Sequence, residues 1–220
     1  MRAADPPAFL DGDPPIVAPR DRRAGGTWIG ASGHGLVLAL ANRRGRTSEG
    51  ARSRGLLLLD ALRSPDVRGV EVFLQRETET REYNFWNLMA ASRQELRFFS
   101  YDGRITGARG HEGLNVLTNE GANEPGDPKV EAVRGLLADA DLHSIEGAVR
   151  ALQSTLRTHG GPGAASLCVH GAGGGTVSSI LLALSHASPE ENVLLYADGP
   201  PCSTPYRDYR EVIRRLSLPG

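Results

Sequence analysis

The residues best suited by type and spacing to chemistry lie at 168–179, where Cys168-Val169-His170 runs into Gly171-Ala172-Gly173-Gly174-Gly175-Thr176-Val177-Ser178-Ser179. Closely spaced glycines let backbone N–H groups approach an anion, and a phosphate loop adds a lysine for the outer phosphates. Lys129 is the only lysine in the chain, so that lysine is missing here. A dinucleotide loop needs G-x-G-x-x-G between a strand and a helix, with an acid about 20 residues on. Gly171-x-Gly173-x-x-Thr176 followed by Asp198 imitates the pattern, which makes nucleotide binding through residues 171–176 one reading. Too little chain follows to complete a doubly wound sheet, and a loop between two core strands is the plainer account.

Cys168 and His170 are spaced to lie on one side of a strand, as two metal ligands would. A zinc site takes three or four ligands, and no others stand nearby in sequence. A core cysteine and a surface histidine are therefore expected, with no metal and no cofactor. Gly30-Ala31-Ser32-Gly33-His34 approaches the G-x-S-x-G elbow that exposes a nucleophilic serine, but it fails at His34 and leads into a strand-like run. Asn42, Asn84, Asn87, Asn115 and Asn119 fall at or near the ends of expected strands. An asparagine there caps a turn or aims its amide at a developing oxyanion, and for each one the turn is the simpler role. Trp28 and Trp86 suit a core or the wall of a groove.

The elements that would position these groups follow from pattern. Residues 27–31 and 36–41 are apolar and flank Gly33-His34-Gly35, which predicts a β-hairpin with glycine supplying positive φ. Residues 55–63, with four consecutive leucines, predict a buried helix stopped by Ser64-Pro65, and a short helix should cover 67–76. Aromatic and β-branched runs at 85–91, 95–101 and 113–118 predict an antiparallel meander. Val130, Val133, Leu136 and Leu137 predict a helix after Pro128, and Ser144 is placed to cap another over 144–158. A strand at 166–170, an apolar segment at 177–184 and a strand at 192–197 complete the pattern. Strands alternating with pairs of helices indicate α+β with a largely antiparallel sheet system.

Composition bounds the rest. A chain of 220 residues, 40% hydrophobic, can bury a core as one domain. Five prolines within residues 3–24 argue against helix there, so 1–24 is expected to be an extended surface segment, with a single domain at 25–220 and ordered structure from near Thr27. A net charge of −1 gives no bulk attraction to nucleic acid or to an anionic membrane. No apolar run approaches the roughly 18 residues of a membrane span, and no signal peptide is recognisable, so a cytoplasmic protein is expected. Two cysteines, Cys168 and Cys202, make no disulfide framework and are taken as thiols.

Taken together, these pieces resemble the NRDE family, also called the transport and Golgi organisation family. The specific part is Gly25-Gly26-Thr27-Trp28-Ile29-Gly30 followed by the strand Leu38-Ala39-Leu40-Ala41-Asn42. The resemblance continues in Asn84-Phe85-Trp86-Asn87-Leu88, in residues 113–119 leading through Asp127-Pro128-Lys129-Val130 into a helix, and in Gly175-Thr176-Val177-Ser178-Ser179. Upstream, Pro14-Pro15-Ile16-Val17-Ala18 then Arg20-Asp21 is similar to the family's approach to GGTW.

The resemblance implies a four-layer αββα sandwich of two largely antiparallel sheets, Ntn-hydrolase-like. In that architecture an N-terminal cysteine is the nucleophile, its own α-amino group is the base, and asparagine side chains and backbone amides hold the oxyanion. Family members begin with Met-Cys, a short strand and Asn-Arg-Asp-Glu; here Met1 is followed by Arg2, and Asn42-Arg43-Arg44 lies after GGTW and matches a later strand end. The cysteine strand is therefore expected upstream of Met1, and the chain as numbered is expected to be inactive. Under this reading the ligand is a small amide or acyl compound, and Thr27, Trp28, Asn42, Asn87, Asn119, Thr176 and Ser178 are the candidate pocket residues. The alternative is non-catalytic binding or trafficking of a hydrophobic ligand, either haem, with His34, His111 or His170 as axial ligands, or an acyl-CoA or lipid.

Overall fold

The computed structural model describes residues 3–160, 165–171, 174–185 and 188–216. Residues 4–21 are built into the main sheet rather than forming an extended surface segment. Strands β1 (Ala4–Leu10) and β2 (Ile16–Asp21) pair antiparallel as the first two strands of the main sheet, and Ile16, Val17 and Ala18 are buried. The prolines are accommodated by position. Pro6 and Pro7 fall where the β1 register shifts between Asp5 and Ala8, on an edge strand, so no ladder bond needs their missing N–H.

The hairpin predicted around Gly33-His34-Gly35 forms from β3 (Ile29–Ser32) and β4 (Val37–Asn42), with Gly35 at φ +78° in the turn. Helix α1 (Arg54–Ala61) and helix α2 (Val67–Thr80) follow, the latter capped by Asp66, which accepts from the Gly69 N–H. Strands β5 (Trp86–Ala91), β6 (Leu96–Tyr101) and β7 (Ile105–Arg109) complete a seven-stranded antiparallel sheet whose strand order is the chain order. The third meander strand is thus β7 rather than 113–118. β7 is an exposed edge strand that carries almost no apolar signal, whereas 113–118 folds into turns held by asparagine side chains.

Helices α3 (Pro128–Leu137) and α4 (Ile145–Leu156) come next, and the Ser144 hydroxyl caps α4 by accepting from the Gly147 N–H at 3.0 Å. A second sheet of three antiparallel strands has the order β10 (Arg207–Asp208), β9 (Val193–Ala197), β8 (Ser179–Ala183), and α5 (Arg210–Arg214) follows. Residues 166–170 are irregular rather than a strand, their backbone tied to the segment just after α4 by Leu167 and Cys168 N–H bonds to the Thr158 carbonyl. The dinucleotide reading of residues 171–176 fails here: it needs a parallel strand pair joined by a helix, and β8 instead pairs antiparallel with β9. Ala172 and Gly173 of that loop lie outside the described residues.

Period-2 alternation sorts the main sheet's side chains to two faces. Ile16, Leu38, Trp86, Leu88 and Phe99 pack on Leu57, Leu58, Val70 and Leu74 of α1 and α2. On the other face Val17 and Ala31 meet Leu194, Ile180 and Leu182 of the small sheet, together with Ile213 of α5. The small sheet's opposite face carries Val193 and Leu195 towards Ile145 and Val149 of α4, against which α3 packs. The result is an α+β, four-layer αββα sandwich. Among the described residues no helix is long and apolar enough to cross a membrane.

Candidate functional site

Gly25-Gly26-Thr27-Trp28 enters the sheet alongside the first turn of α1. Residues 21–26 close into a tight loop, with the Gly25 N–H donating to the Asp21 carbonyl and the Asp21 N–H to the Gly26 carbonyl, both at 2.8 Å. Gly25 has φ +70°, a conformation that costs a residue with a Cβ. Gly26 lies backbone to backbone on Gly55, and the Thr27 N–H donates to the Gly55 carbonyl at 3.0 Å. The segment is locked to the helix start rather than merely near it.

Beside this junction opens a cleft of about 610 Å³. Thr27, Trp28, Asn42, Thr176 and Ser178 all line it, brought together from the β3 entry, the end of β4 and the approach to β8. Thr27 is buried and its hydroxyl donates to the Ile29 carbonyl at 2.8 Å, whereas Trp28 is half-buried and forms a wall. Thr176 closes its loop on Val169: its N–H donates to the Val169 carbonyl at 2.9 Å and its hydroxyl accepts the Val169 N–H at 3.0 Å.

Asn87 is a correction. It is fully buried on β5 and does not line the cleft. Its amide donates to the Thr118 carbonyl at 3.0 Å, and its side-chain oxygen accepts the Ser100 hydroxyl at 2.8 Å. Asn119, next to Thr118, donates to the backbone carbonyl of Asn42 and borders a neighbouring cleft with Arg43 and Arg44. Asn87 and Asn119 are thus bonded to backbone around the strand end that presents Asn42. Asn115 takes the turn role, bonding the His111 and Gly113 carbonyls.

Sequence reasoning missed Ser48, Glu49 and the residues from 51 to 55, which form another wall of the cleft together with Asn84. Asn84 pairs with both backbone groups of Ser48, accepting its N–H at 2.6 Å and donating to its carbonyl at 3.1 Å. Arg52 donates to the Tyr83 hydroxyl at 2.8 Å, to Glu77 at 3.1 Å and to Asp60 at 2.6 Å. Burial lowers the pKa of that guanidinium, but the Tyr83 and Asp60 bonds outweigh it and hold it above the ordinary arginine value. Burial and the bond to Glu77 push the Tyr83 phenol up, so it stays protonated and keeps donating to Glu77 at 2.6 Å. The available signal was Ser53-Arg54-Gly55 opening a leucine helix, a second small-residue junction opposite Gly25-Gly26.

Asp127 anchors the turn that carries Asn119. Its carboxylate accepts from the Lys129 N–H at 2.8 Å and from the Thr118 hydroxyl. Burial would raise its pKa, yet the Thr118 hydroxyl and the N–H groups at the start of α3 overcome that and hold it below the usual carboxylate range. With the folded-state pKa below the unfolded one, this stabilisation is complete above the unfolded value of about 3.9 and disappears as pH falls through the folded value. Asp127→Ala is expected to cost about 1–2 kcal/mol at neutral pH, and the difference from wild type should shrink as urea unfolding is repeated at increasingly acid pH. A difference that does not change with pH would contradict this account.

The proposed axial histidines are dispersed. His34 Nδ1 bonds the Ser64 carbonyl at 3.0 Å, His111 Nδ1 bonds the Glu112 carbonyl at 2.9 Å, and His170 lies beside Cys202. None of the described cleft-lining residues is a histidine or a cysteine.

Residues 1–159 match the family described as TANGO2, Transport and Golgi organisation 2. No curated protein matches the chain. Among solved structures, it is similar to a penicillin V acylase from Agrobacterium tumefaciens at 11% identity and a TM-score of 0.45, over 89% of this chain and 70% of that one.

Proposed function

Because the chain belongs to the Transport and Golgi organisation 2 family, we propose that the cleft beside Gly25-Gly26-Thr27-Trp28 receives a small amide or acyl compound, in the manner of an amidohydrolase of the N-terminal-nucleophile type. The observation that carries this reading is the convergence of Thr27, Trp28, Asn42, Thr176 and Ser178 on one cleft of about 610 Å³. Trp28 offers an apolar face for the acyl part, and the Asn42 side-chain amide, at the exposed end of β4, is the donor for the ligand carbonyl. Arg52 and Arg54 line the opposite wall, where Arg54 also donates to the Phe85 carbonyl at 2.8 Å.

The chain of 220 residues binds this ligand without hydrolysing it. Acyl transfer needs a nucleophile with a base within hydrogen-bond reach; the described lining residues include no cysteine, histidine or lysine, and the Thr27 and Thr176 hydroxyls are engaged with backbone groups rather than with a base. The same lining argues against haem, which would find no imidazole or thiolate for its iron. It argues against a long acyl lipid as well, since the walls are mostly polar.

Ligand-observed NMR with N-acetyl amino-acid amides and short N-acyl amino acids tests the reading. Saturable binding is expected, with Trp28→Ala weakening it about tenfold through the loss of roughly 1.4 kcal/mol of apolar contact. Binding that ignores both Trp28→Ala and Asn42→Ala would place the site elsewhere. Release of free amine by the wild-type chain would overturn the claim of binding without turnover.

A further inference from the structure

The geometry points to a four-ligand metal site formed by His159, Cys168, His170 and Cys202, suited to Zn²⁺ as a tetrahedral, thiolate- and imidazole-binding cation. One donor atom from each of the four lies within 4.8 Å of the other three. With Zn–S near 2.3 Å and Zn–N near 2.0–2.1 Å, the donors of a tetrahedral zinc stand about 3.3–3.8 Å apart. Cys168 Sγ is 3.7 Å from His170 Nε2, and His170 Nε2 is 3.2 Å from Cys202 Sγ. The donors are thus already near coordination spacing, and small side-chain rotations would complete it.

Three further features belong to a metal site rather than to a chance meeting of side chains. His159 Nδ1 lies 3.0 Å from the Cys168 carbonyl oxygen. A carbonyl only accepts, so Nδ1 carries the proton and Nε2 keeps its lone pair, the tautomer that a carbonyl-oriented metal ligand adopts. The His159 and His170 rings stand side by side, their centroids 5.1 Å apart. The backbone segments bearing the ligands are also fixed independently. Leu167 and Cys168 hang from the Thr158 carbonyl, the turn at Cys202 closes by Thr204 N–H donation to the Pro200 carbonyl at 2.9 Å, and Arg157 ties α4 to that turn through the Pro201 carbonyl at 3.0 Å. The set is S₂N₂, the combination that selects zinc over hard cations. Four protein ligands fill a tetrahedral shell and leave no open position, so the site is structural.

Competing accounts use only part of the cluster. Both cysteines are free thiols, and a nucleophilic Cys202–His170 pair would leave Cys168 and His159 without a purpose at the same point. Sequence spacing displayed only Cys168 and His170; His159 comes from the end of α4 and Cys202 from a turn after β9. A metal here would clamp residues 168–170, from which Thr176 and the cleft-lining Ser178 are reached through the Val169–Thr176 bonds. Cys168 is buried while the other three are exposed, so the ion can enter from solvent.

The test is titration of the reduced chain with Zn²⁺ against a chromophoric chelator, with native mass spectrometry for stoichiometry and Co²⁺ as a spectroscopic probe. One ion per chain is expected, and the Co²⁺ form should show intense tetrahedral d–d bands and thiolate-to-metal charge transfer. Cys202→Ser and His170→Gln, both at exposed positions, should fold as wild type yet lose more than about 100-fold in affinity, since even outer-shell changes cost about 10–100-fold. Zn²⁺ should raise the melting temperature of wild type and not that of either variant. The inference is overturned if the reduced chain leaves Zn²⁺ with the chelator, if both variants bind it as tightly as wild type, or if the native protein carries a Cys168–Cys202 disulfide whose reduction yields no metal binding.

Discussion

Gly26→Val is expected to lower the unfolding free energy by about 3 kcal/mol or more and the melting temperature by on the order of 10 °C. A Cβ at position 26 would stand 2.3 Å from the Gly55 carbonyl carbon and 2.5 Å from the Leu56 nitrogen. Both are backbone atoms of the first turn of α1, so no side-chain rotation relieves the clash. The helix itself would have to move, and it is seated by Leu57 and Leu58, which are fully buried. The relation is reciprocal, because a Cβ on Gly55 would lie 2.9 Å from the Thr27 carbonyl oxygen. Gly135 is the control: it sits within α3 with open space around it, and alanine there should stabilise by up to about 1 kcal/mol. Denaturant unfolding of both variants, with Gly26→Ala as a milder step, measures the difference. A Gly26→Val protein as stable as wild type would show that strand entry and helix do not meet as described.

Asn87→Leu is expected to cost about 3 kcal/mol, although leucine fits the volume. The substitution strips the buried Thr118 carbonyl of its donor and the Ser100 hydroxyl of its acceptor, and each unsatisfied group costs about 1–3 kcal/mol. Asn87→Asp separates the two bonds. An ionised carboxylate still accepts from Ser100 but faces the Thr118 carbonyl with a second acceptor, and burial disfavours its charge. Its folded-state pKa is then raised, so this variant should be closest to wild type below about pH 4 and should lose stability as pH rises above it. A second readout follows from the Thr118-Asn119 turn, which grips the Asn42 carbonyl: both variants should weaken ligand binding in the cleft while still folded. Stability unchanged in Asn87→Leu would mean that water replaces the lost partners.

The legible parts of the fold were those whose cause is local. Gly35 between two apolar runs gives the β3–β4 hairpin, the leucines from 56 to 59 give α1, and Ser144 gives the start of α4. Where tertiary context decides, the sequence pattern misleads. Pro6 and Pro7 speak against a strand unless it is an edge strand with a register shift, which is knowable only once β2 is in place. β7 is a polar edge held by β6, so its own residues announce little.

The cleft divides along the same line. Thr27, Trp28, Asn42, Thr176 and Ser178 were singled out through the family resemblance, because nothing in their spacing brings position 27 to position 178. Arg52 reads as an ordinary surface residue until its partners are placed, and Asn84 shows its turn role only once Ser48 is beside it. A strand asparagine such as Asn87 looks the same in sequence whether it faces a ligand or a buried carbonyl. The Cys168–His170 pair was visible as half of a set, and only folding supplies His159 and Cys202.

The strand order of the large sheet, identical to the chain order, has a kinetic consequence. Each strand can add to the one made just before it, through short loops everywhere but between β4 and β5, where α1 and α2 intervene, so the meander with its helices assembles largely from local contacts and should form early. Its other face cannot be finished that way. Val17 and Ala31 are covered by Leu194, Ile213 and Leu216, and Arg215 stacks over Phe9 at 4.0 Å, so the first strand must wait for the last described helix. A nascent chain would therefore leave the ribosome with one side of its sheet sealed and the other still apolar and open. In that interval the protein is most exposed to self-association and most in need of a chaperone.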